Sequence, residues 1–192
     1  MSPRAAVFLD RDGVLNALVA DPRSGAPESP LAAADVRLLP GAAAAAARIA
    51  RAGFALACVT NQPAAAKGLL PVCELLAVHA RVLELLAREG VQLTGTRLCA
   101  HHPQGVVPAL SGPCACRKPA PGMLLELAAA LRIDLAASWL VGDTDSDVQA
   151  GRAAGCRTVL IEHPDSEHKR SSRIRPDLHA RDLGHAAELL LE

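Results

Sequence analysis

The sequence predicts an α/β fold, a mostly parallel sheet with helices on both faces. Three observations predict it. Short apolar runs alternate with longer helical stretches along most of the chain, which is the pattern of successive βα units. Two of the apolar runs end in clustered carboxylates, and ligands of such sheets collect at the carboxyl ends of the strands. The length of 192 residues suits one domain, spanning 1–192, with a sizeable core.

Residues 5–9 form the first strand. Residues 41–52 form a helix of strong helix formers, its alanines interrupted by Arg48 and Arg51 and ended by Gly53. A second strand at 54–59 is stopped by Thr60-Asn61-Gln62-Pro63. Residues 71–88 carry Leu75, Leu76, Val78, Val82, Leu85 and Leu86 at helical spacing and end at Gly90. A short strand at 97–99 follows, then a helix at 122–131 and a strand at 139–141 that runs into Gly142-Asp143. A helix at 145–154 closes at Gly155, a strand covers 158–161, and a final helix covers 182–191.

Two segments break the alternation. Residues 17–40 make a long, proline-rich connection, and loops of that length in compact domains are usually functional or mobile. This one leaves the strand end that carries Asp10 and Asp12, so it is expected to form a lid or substrate wall. Residues 163–176 are polar and charged and read as a flexible surface loop.

Composition excludes some partners. The chain is 51% hydrophobic and 21% charged, with 20 Lys plus Arg against 20 Asp plus Glu. No basic field recruits nucleic acid. Aromatic residues make up 2% and tyrosine is absent, so base-stacking platforms are lacking too. No secretory signal or membrane span is read, because charge follows Phe8-Leu9 at once and Arg48 and Arg51 interrupt the alanine run. A cytoplasmic monomer is expected. Six cysteines in such a chain argue for metal ligation or inert thiols before disulfides; Cys58, Cys73 and Cys156 read as small core residues.

The most informative stretch is Phe8-Leu9-Asp10-Arg11-Asp12-Gly13. A buried strand ends in two carboxylates one residue apart, expensive to bury unless a cation or substrate uses them. Residues i and i+2 of an extended segment point the same way. Asp10 and Asp12 are therefore expected to share a pocket while Arg11 faces elsewhere. One carboxylate can attack and the other can shuttle a proton. The plainer alternative is a strand running into an Asp-Gly turn.

A second acidic cluster is Gly142-Asp143-Thr144-Asp145-Ser146-Asp147. Asp143 at a strand end and Asp147 one helical turn on are hard oxygen ligands of the kind Mg²⁺ takes. Helix N-capping accounts for Asp145 or Ser146, though not for Asp143 as well. Thr60-Asn61 ends another strand, where a hydroxyl and amide N–H groups suit phosphate oxygens; ordinary turn chemistry gives the same pair. Arg117-Lys118-Pro119 sets two cations before a turn into a helix. Lys serves phosphate as a compact charge and Arg clamps oxygens bidentately, although surface cations are common.

Cys99, His101, Cys114 and Cys116 bracket a loop that holds Pro103, Gly105, Pro108, Gly112 and Pro113. Three thiolates and an imidazole match the Cys₃His set of structural zinc sites, and a loop so poor in apolar content needs a staple. The alternative is scattered buried thiols. His102 has the wrong offset for a ligand.

Together these motifs resemble the haloacid dehalogenase superfamily of phosphatases, in the order D-x-D-G, a strand ending in Thr, Lys, and G-D-x-x-x-D. The match is closer to the small, nearly capless branch acting on heptose bisphosphate or histidinol phosphate, with FLDRDG, TNQ, C-x-H-H-P-Q-G and C-x-CRKP-x-PGM in sequence. The resemblance implies a Rossmann-like sheet without a large cap and with a zinc-stapled loop over 99–116. It implies Asp10 as nucleophile and Asp12 as acid, then base. Mg²⁺ would be held by Asp10, the main-chain carbonyl of Asp12, and Asp143. Thr60 and Lys118 would steady the phosphoryl group, Arg117 would meet the substrate beyond it, and Cys99, His101, Cys114 and Cys116 would bind structural Zn²⁺. The implied substrate is a small phosphorylated metabolite, foremost D-glycero-D-manno-heptose 1,7-bisphosphate, with histidinol phosphate as the alternative. Arg117 and Arg23 favour the sugar, and Glu28 favours the amine. The chain departs from the branch in Pro63-Ala64 after TNQ, in Thr144, and in a longer 17–40 loop without tyrosine. All three bear on the substrate.

Overall fold

A computed structural model describes residues 3–21, 24–171 and 173–192; Arg23 lies outside the described residues. In chain order the elements are β1 (Ala6–Leu9), β2 (Val19–Ala20), β3 (Pro27–Glu28), α1 (Ala42–Arg51), β4 (Ala55–Asn61), α2 (Val72–Arg88), β5 (Gly95–Cys99), α3 (Gly122–Leu131), β6 (Trp139–Gly142), α4 (Asp145–Ala154), β7 (Arg157–Ile161), β8 (Leu178–Ala180) and α5 (Leu183–Leu191). Six strands form one parallel sheet in the order β5-β4-β1-β6-β7-β8.

The strands alternate their side chains between two apolar layers. Val7, Leu9, Leu56, Cys58, Val141 and Val159 face one layer with α1, α2 and α5. Ala6, Phe8, Ala57, Val59 and Leu140 face the other, with Met123, Leu124 and Leu127 of α3 and Ala150 and Ala154 of α4. This two-sided burial explains why the central strands read as unbroken apolar runs.

Strand order fixes where the site must lie. From β1 the chain steps outward through β4 and β5, then returns to the other flank of β1 as β6. The carboxyl end of β1 is therefore a topological switch point, where the flanking connections diverge and leave a crevice. Leu9 sits in register with Cys58 of β4 and Val141 of β6, so Asp10, Thr60 and Asp143 come to one edge.

Several expectations change. The 17–40 segment contains a two-residue hairpin, β2 against β3, with Val19 opposite Glu28. Residues 163–176 are not a free loop: Pro164–Lys169 forms a 3₁₀ helix with Ser166 fully buried, and β8, which lacks a long apolar run, follows at the sheet edge. Thr144, not Asp145 or Ser146, caps α4. Cys73 is exposed while Cys58 and Cys156 are buried. Arg11 does not face away: it is fully buried against Asp12.

Candidate active site

Asp10 follows β1 directly. Its backbone N–H donates to Val141 O at 2.9 Å, which fastens the turn to β6. Its Oδ1 accepts from the Arg11 backbone N–H at 2.7 Å and from Lys118 Nζ at 2.9 Å. Both bonds fall on Oδ1 and leave Oδ2 clear of them. Gly13 completes the turn at φ 79°, and a Cβ there would run into Asp143 Oδ2. Both the backbone conformation and the approach require glycine at this position.

Lys118 is fixed from three sides. Its Nζ donates to Val59 O at 2.9 Å, Asp147 Oδ1 at 2.5 Å and Asp10 Oδ1, which spends all three ammonium donors. Asp147 is held in turn by Thr144, whose N–H and Oγ1 donate to its Oδ2 at 3.1 and 2.6 Å. Gly142 is needed because a Cβ there would strike the Asp147 side chain. Burial works against the Lys118 charge, but the Asp10 and Asp147 carboxylates outweigh it and push the pKa well above the usual range.

Asp10, Asp143 and Asp147 each offer a carboxylate oxygen, all within 4.8 Å of one another. Three carboxylates face the single ammonium of Lys118, an excess of two negative charges among these four groups. That imbalance adds to the effect of burial. Burial raises Asp10 to about 6 against the pull of Lys118. Burial, with the Asp10 and Asp147 charges, raises Asp143 to about 8. A divalent cation fits, since hard oxygen ligands and a deficit of two positive charges are what Mg²⁺ satisfies.

Asp12 is caged. Arg11 Nη2 donates to Oδ1 and Oδ2 at 3.1 and 3.0 Å. Asn16 Nδ2 donates to Oδ1 at 2.8 Å, and Ser29 Oγ and Gln62 Nε2 donate to Oδ2 at 2.9 and 2.5 Å. Burial raises its pKa, but the Arg11 charge and the Asn16 and Gln62 bonds outweigh that and hold it below the usual carboxylate value. Gln62 also donates to Thr60 Oγ1 at 2.9 Å, so one amide joins the buried Thr60 to Asp12. Gln62, Ser29 and Asn16 belong to the site beyond the residues singled out from the sequence, and of these only the Gln of TNQ carried a signal there.

The Asn61 side-chain amide bonds the Lys118 backbone through Oδ1 and one of its two N–H donors. Arg117 Nη1 donates to His101 O at 3.1 Å. Burial and, after it, the charges of Arg117 and Lys67 lower the His102 pKa. A cavity of about 1180 Å³ is reached from Asp12 through Ser29 and Gln62, which bond its Oδ2. Ser29 and Gln62 line it, with Leu31 and Val106 on its apolar wall and Lys67 and Arg37 as cations.

Cys99, His101, Cys114 and Cys116 converge as expected, their ligand atoms within 4.8 Å of one another. Cys99 and Cys114 Sγ lie 3.7 Å apart, Cys114 and Cys116 3.4 Å, and His101 Nδ1 lies 3.7 and 3.5 Å from Cys99 and Cys116. Metal–sulfur bonds of about 2.3 Å and metal–nitrogen bonds of about 2.0 Å at tetrahedral angles give edges of about 3.5–3.8 Å. Cys99 to Cys116, at 2.9 Å, is well short of that. The group can hold a metal.

Comparison with known proteins defines the class. The HAD-hydrolase-like family model matches residues 115–186. D-glycero-beta-D-manno-heptose-1,7-bisphosphate 7-phosphatase of Rhodopseudomonas palustris is 38% identical over 84% of this chain and 86% of its own. The protein of that name from Mesorhizobium japonicum is 37% identical over 93% of this chain and 79% of its own. The chain belongs to the haloacid dehalogenase superfamily, and it is a phosphoric monoester hydrolase. Within that class, a similar solved structure is the D,D-heptose 1,7-bisphosphate phosphatase of B. bronchiseptica with magnesium and phosphate. It is 31% identical, with a TM-score of 0.77 over 97% of this chain and 98% of that one. Among the described residues, no helix is long and apolar enough to cross a membrane.

Proposed function

We propose that this chain, as one catalytic domain, removes the 7-phosphate of D-glycero-D-manno-heptose 1,7-bisphosphate through an aspartyl-phosphate on Asp10. The observation that carries the reading is Lys118 seated between Asp10 and Asp147, with Asp143 alongside, at the carboxyl edge of the sheet. The relatives named for this reaction supply the substrate.

Asp10 Oδ2 attacks phosphorus, and the bond from phosphorus to the sugar oxygen breaks. Asp12 gives its proton to the leaving alkoxide. The dianionic phosphoryl group arriving beside Asp12 raises its proton affinity against the Arg11 clamp. Water then attacks phosphorus and hands its proton to Asp12, the bond to Asp10 breaks, and inorganic phosphate leaves. Two easier displacements replace one hard one. Mg²⁺ held by Asp10, the Asp12 carbonyl and Asp143 supplies charge neutralisation of the phosphoryl oxygens. Thr60 holds those oxygens, Lys118, its donors on Val59, Asp147 and Asp10, acts on them through its charge, and Arg117, with Lys67, meets the second phosphate. Zn²⁺ on Cys99, His101, Cys114 and Cys116 orders the loop that ends at Arg117; four protein ligands leave no open position for chemistry.

Histidinol phosphate is the second reading. Asp21, Glu28 and Asp35 on the cavity wall favour it, since they suit an amine. Phosphate release from heptose 1,7-bisphosphate, heptose 7-phosphate and histidinol phosphate, each with Mg²⁺, separates the two. The heptose bisphosphate is expected to give the highest kcat/KM. Preference for histidinol phosphate overturns the sugar reading.

A further inference from the structure

Ser166 belongs to none of the motifs above, and it comes to Asp143 from 23 residues away in sequence. It is fully buried, and its Oγ donates to Asp143 Oδ2. The 3₁₀ turn that carries it is clasped to the site. Arg170 Nη1 donates to His163 O at 2.8 Å and to Asp143 O at 3.4 Å. The Ser171 N–H donates to Asp145 Oδ2 at 2.8 Å. On the outer side Lys169 Nζ lies 3.8 Å from Glu28 in the hairpin. The segment closes over the Asp143 carboxylate, and a hydroxyl is the polar group it presents there.

We infer that Ser166 is a positioning residue for the metal-binding carboxylate. Its hydroxyl fixes Asp143 Oδ2 and leaves Oδ1 as the oxygen to ligate. A neutral donor does this without competing as a cation, whereas an Arg or Lys in its place would cancel the negative charge that draws the metal. Partners that orient a ligating carboxylate commonly govern metal affinity by 10–100-fold. The inference rests on the reading that Asp10 and Asp143 hold Mg²⁺.

The test is Mg²⁺ binding to the zinc-loaded chain by titration calorimetry, beside the Mg²⁺ dependence of phosphate release. Ser166→Ala is expected to weaken Mg²⁺ binding by about 10–100-fold, with kcat at saturating Mg²⁺ within about threefold of wild type and zinc content unchanged. Arg170→Ala keeps the hydroxyl but frees the turn, and is expected to weaken Mg²⁺ binding in the same direction; it decides the matter if Ser166→Ala fails to fold. Wild-type Mg²⁺ affinity in the folded Ser166→Ala chain overturns the inference, as does a fall in kcat at unchanged Mg²⁺ affinity. If the wild-type chain binds no Mg²⁺, the metal reading itself fails.

Discussion

Asn61 and Lys118 are joined by two reciprocal hydrogen bonds: Asn61 Nδ2 donates to Lys118 O at 2.9 Å, and the Lys118 N–H donates to Asn61 Oδ1 at 3.0 Å. A carboxamide at the end of β4 thus reads the backbone of a residue 57 positions on and sets the ammonium over Asp10. Asn61→Ala should lower kcat/KM about 10–100-fold by releasing Lys118, since the two part-buried bonds together fix its backbone. A double-mutant cycle with Lys118→Ala checks this. The two losses should be strongly non-additive; full additivity contradicts the relationship.

The zinc reading predicts about one zinc per chain in freshly purified protein, by elemental analysis. Cys114→Ser should loosen the loop between Cys99 and Cys116, raise KM more than it lowers thermal stability of the sheet, and lose the metal. A zinc-free wild-type chain contradicts it.

Metal and pH are linked through Asp10 and Asp143. In the metal-free chain burial raises them to about 6 and about 8 from 3.8. Their raised values mean that the folded state binds more protons than the unfolded one between about pH 4 and 8, so metal-free stability falls as pH rises through that window. Mg²⁺ takes the place of the missing protons. Its addition should therefore raise the melting temperature more at pH 8 than at pH 6. An equal or smaller rise at pH 8 contradicts the uncompensated pair.

The cations beyond the reacting phosphate can be separated. Arg117→Ala should lower kcat/KM for the bisphosphate about 10–100-fold and do much less to a monophosphate, as the loss of one charge-assisted bond would. Lys67→Ala, on the cavity wall, should behave alike. If Lys67→Ala alone discriminates, Arg117 serves the His101 carbonyl and the loop rather than the substrate.

Much of this site was legible because it uses strand ends. Asp10, Thr60 and Asp143 each end an apolar run, and parallel strands in register bring such ends together. The convergence of Cys99, His101, Cys114 and Cys116 was legible as chemistry, by type and bracketing. Arg11 misled because i and i+2 alternation holds for an extended chain, whereas the chain turns at Gly13 and folds the guanidinium back onto Asp12. Ser166 could not be read at all. A serine in a polar segment carries no periodic signal, and its burial depends on Arg170 reaching the His163 carbonyl. Gln62 shows the same limit, since its value lies in linking Thr60 and Asp12 across the strand end.

The central claim is that Asp10 takes the phosphoryl group. Phosphate release from heptose 1,7-bisphosphate by Asp10→Asn, at saturating Mg²⁺ and with zinc content and melting temperature checked against wild type, tests it most directly. An amide cannot form the acyl phosphate, so turnover should be abolished in a folded chain, while Asp12→Asn should retain a remnant after a loss of about 10²–10⁴-fold. Near-wild-type release by Asp10→Asn would contradict the account.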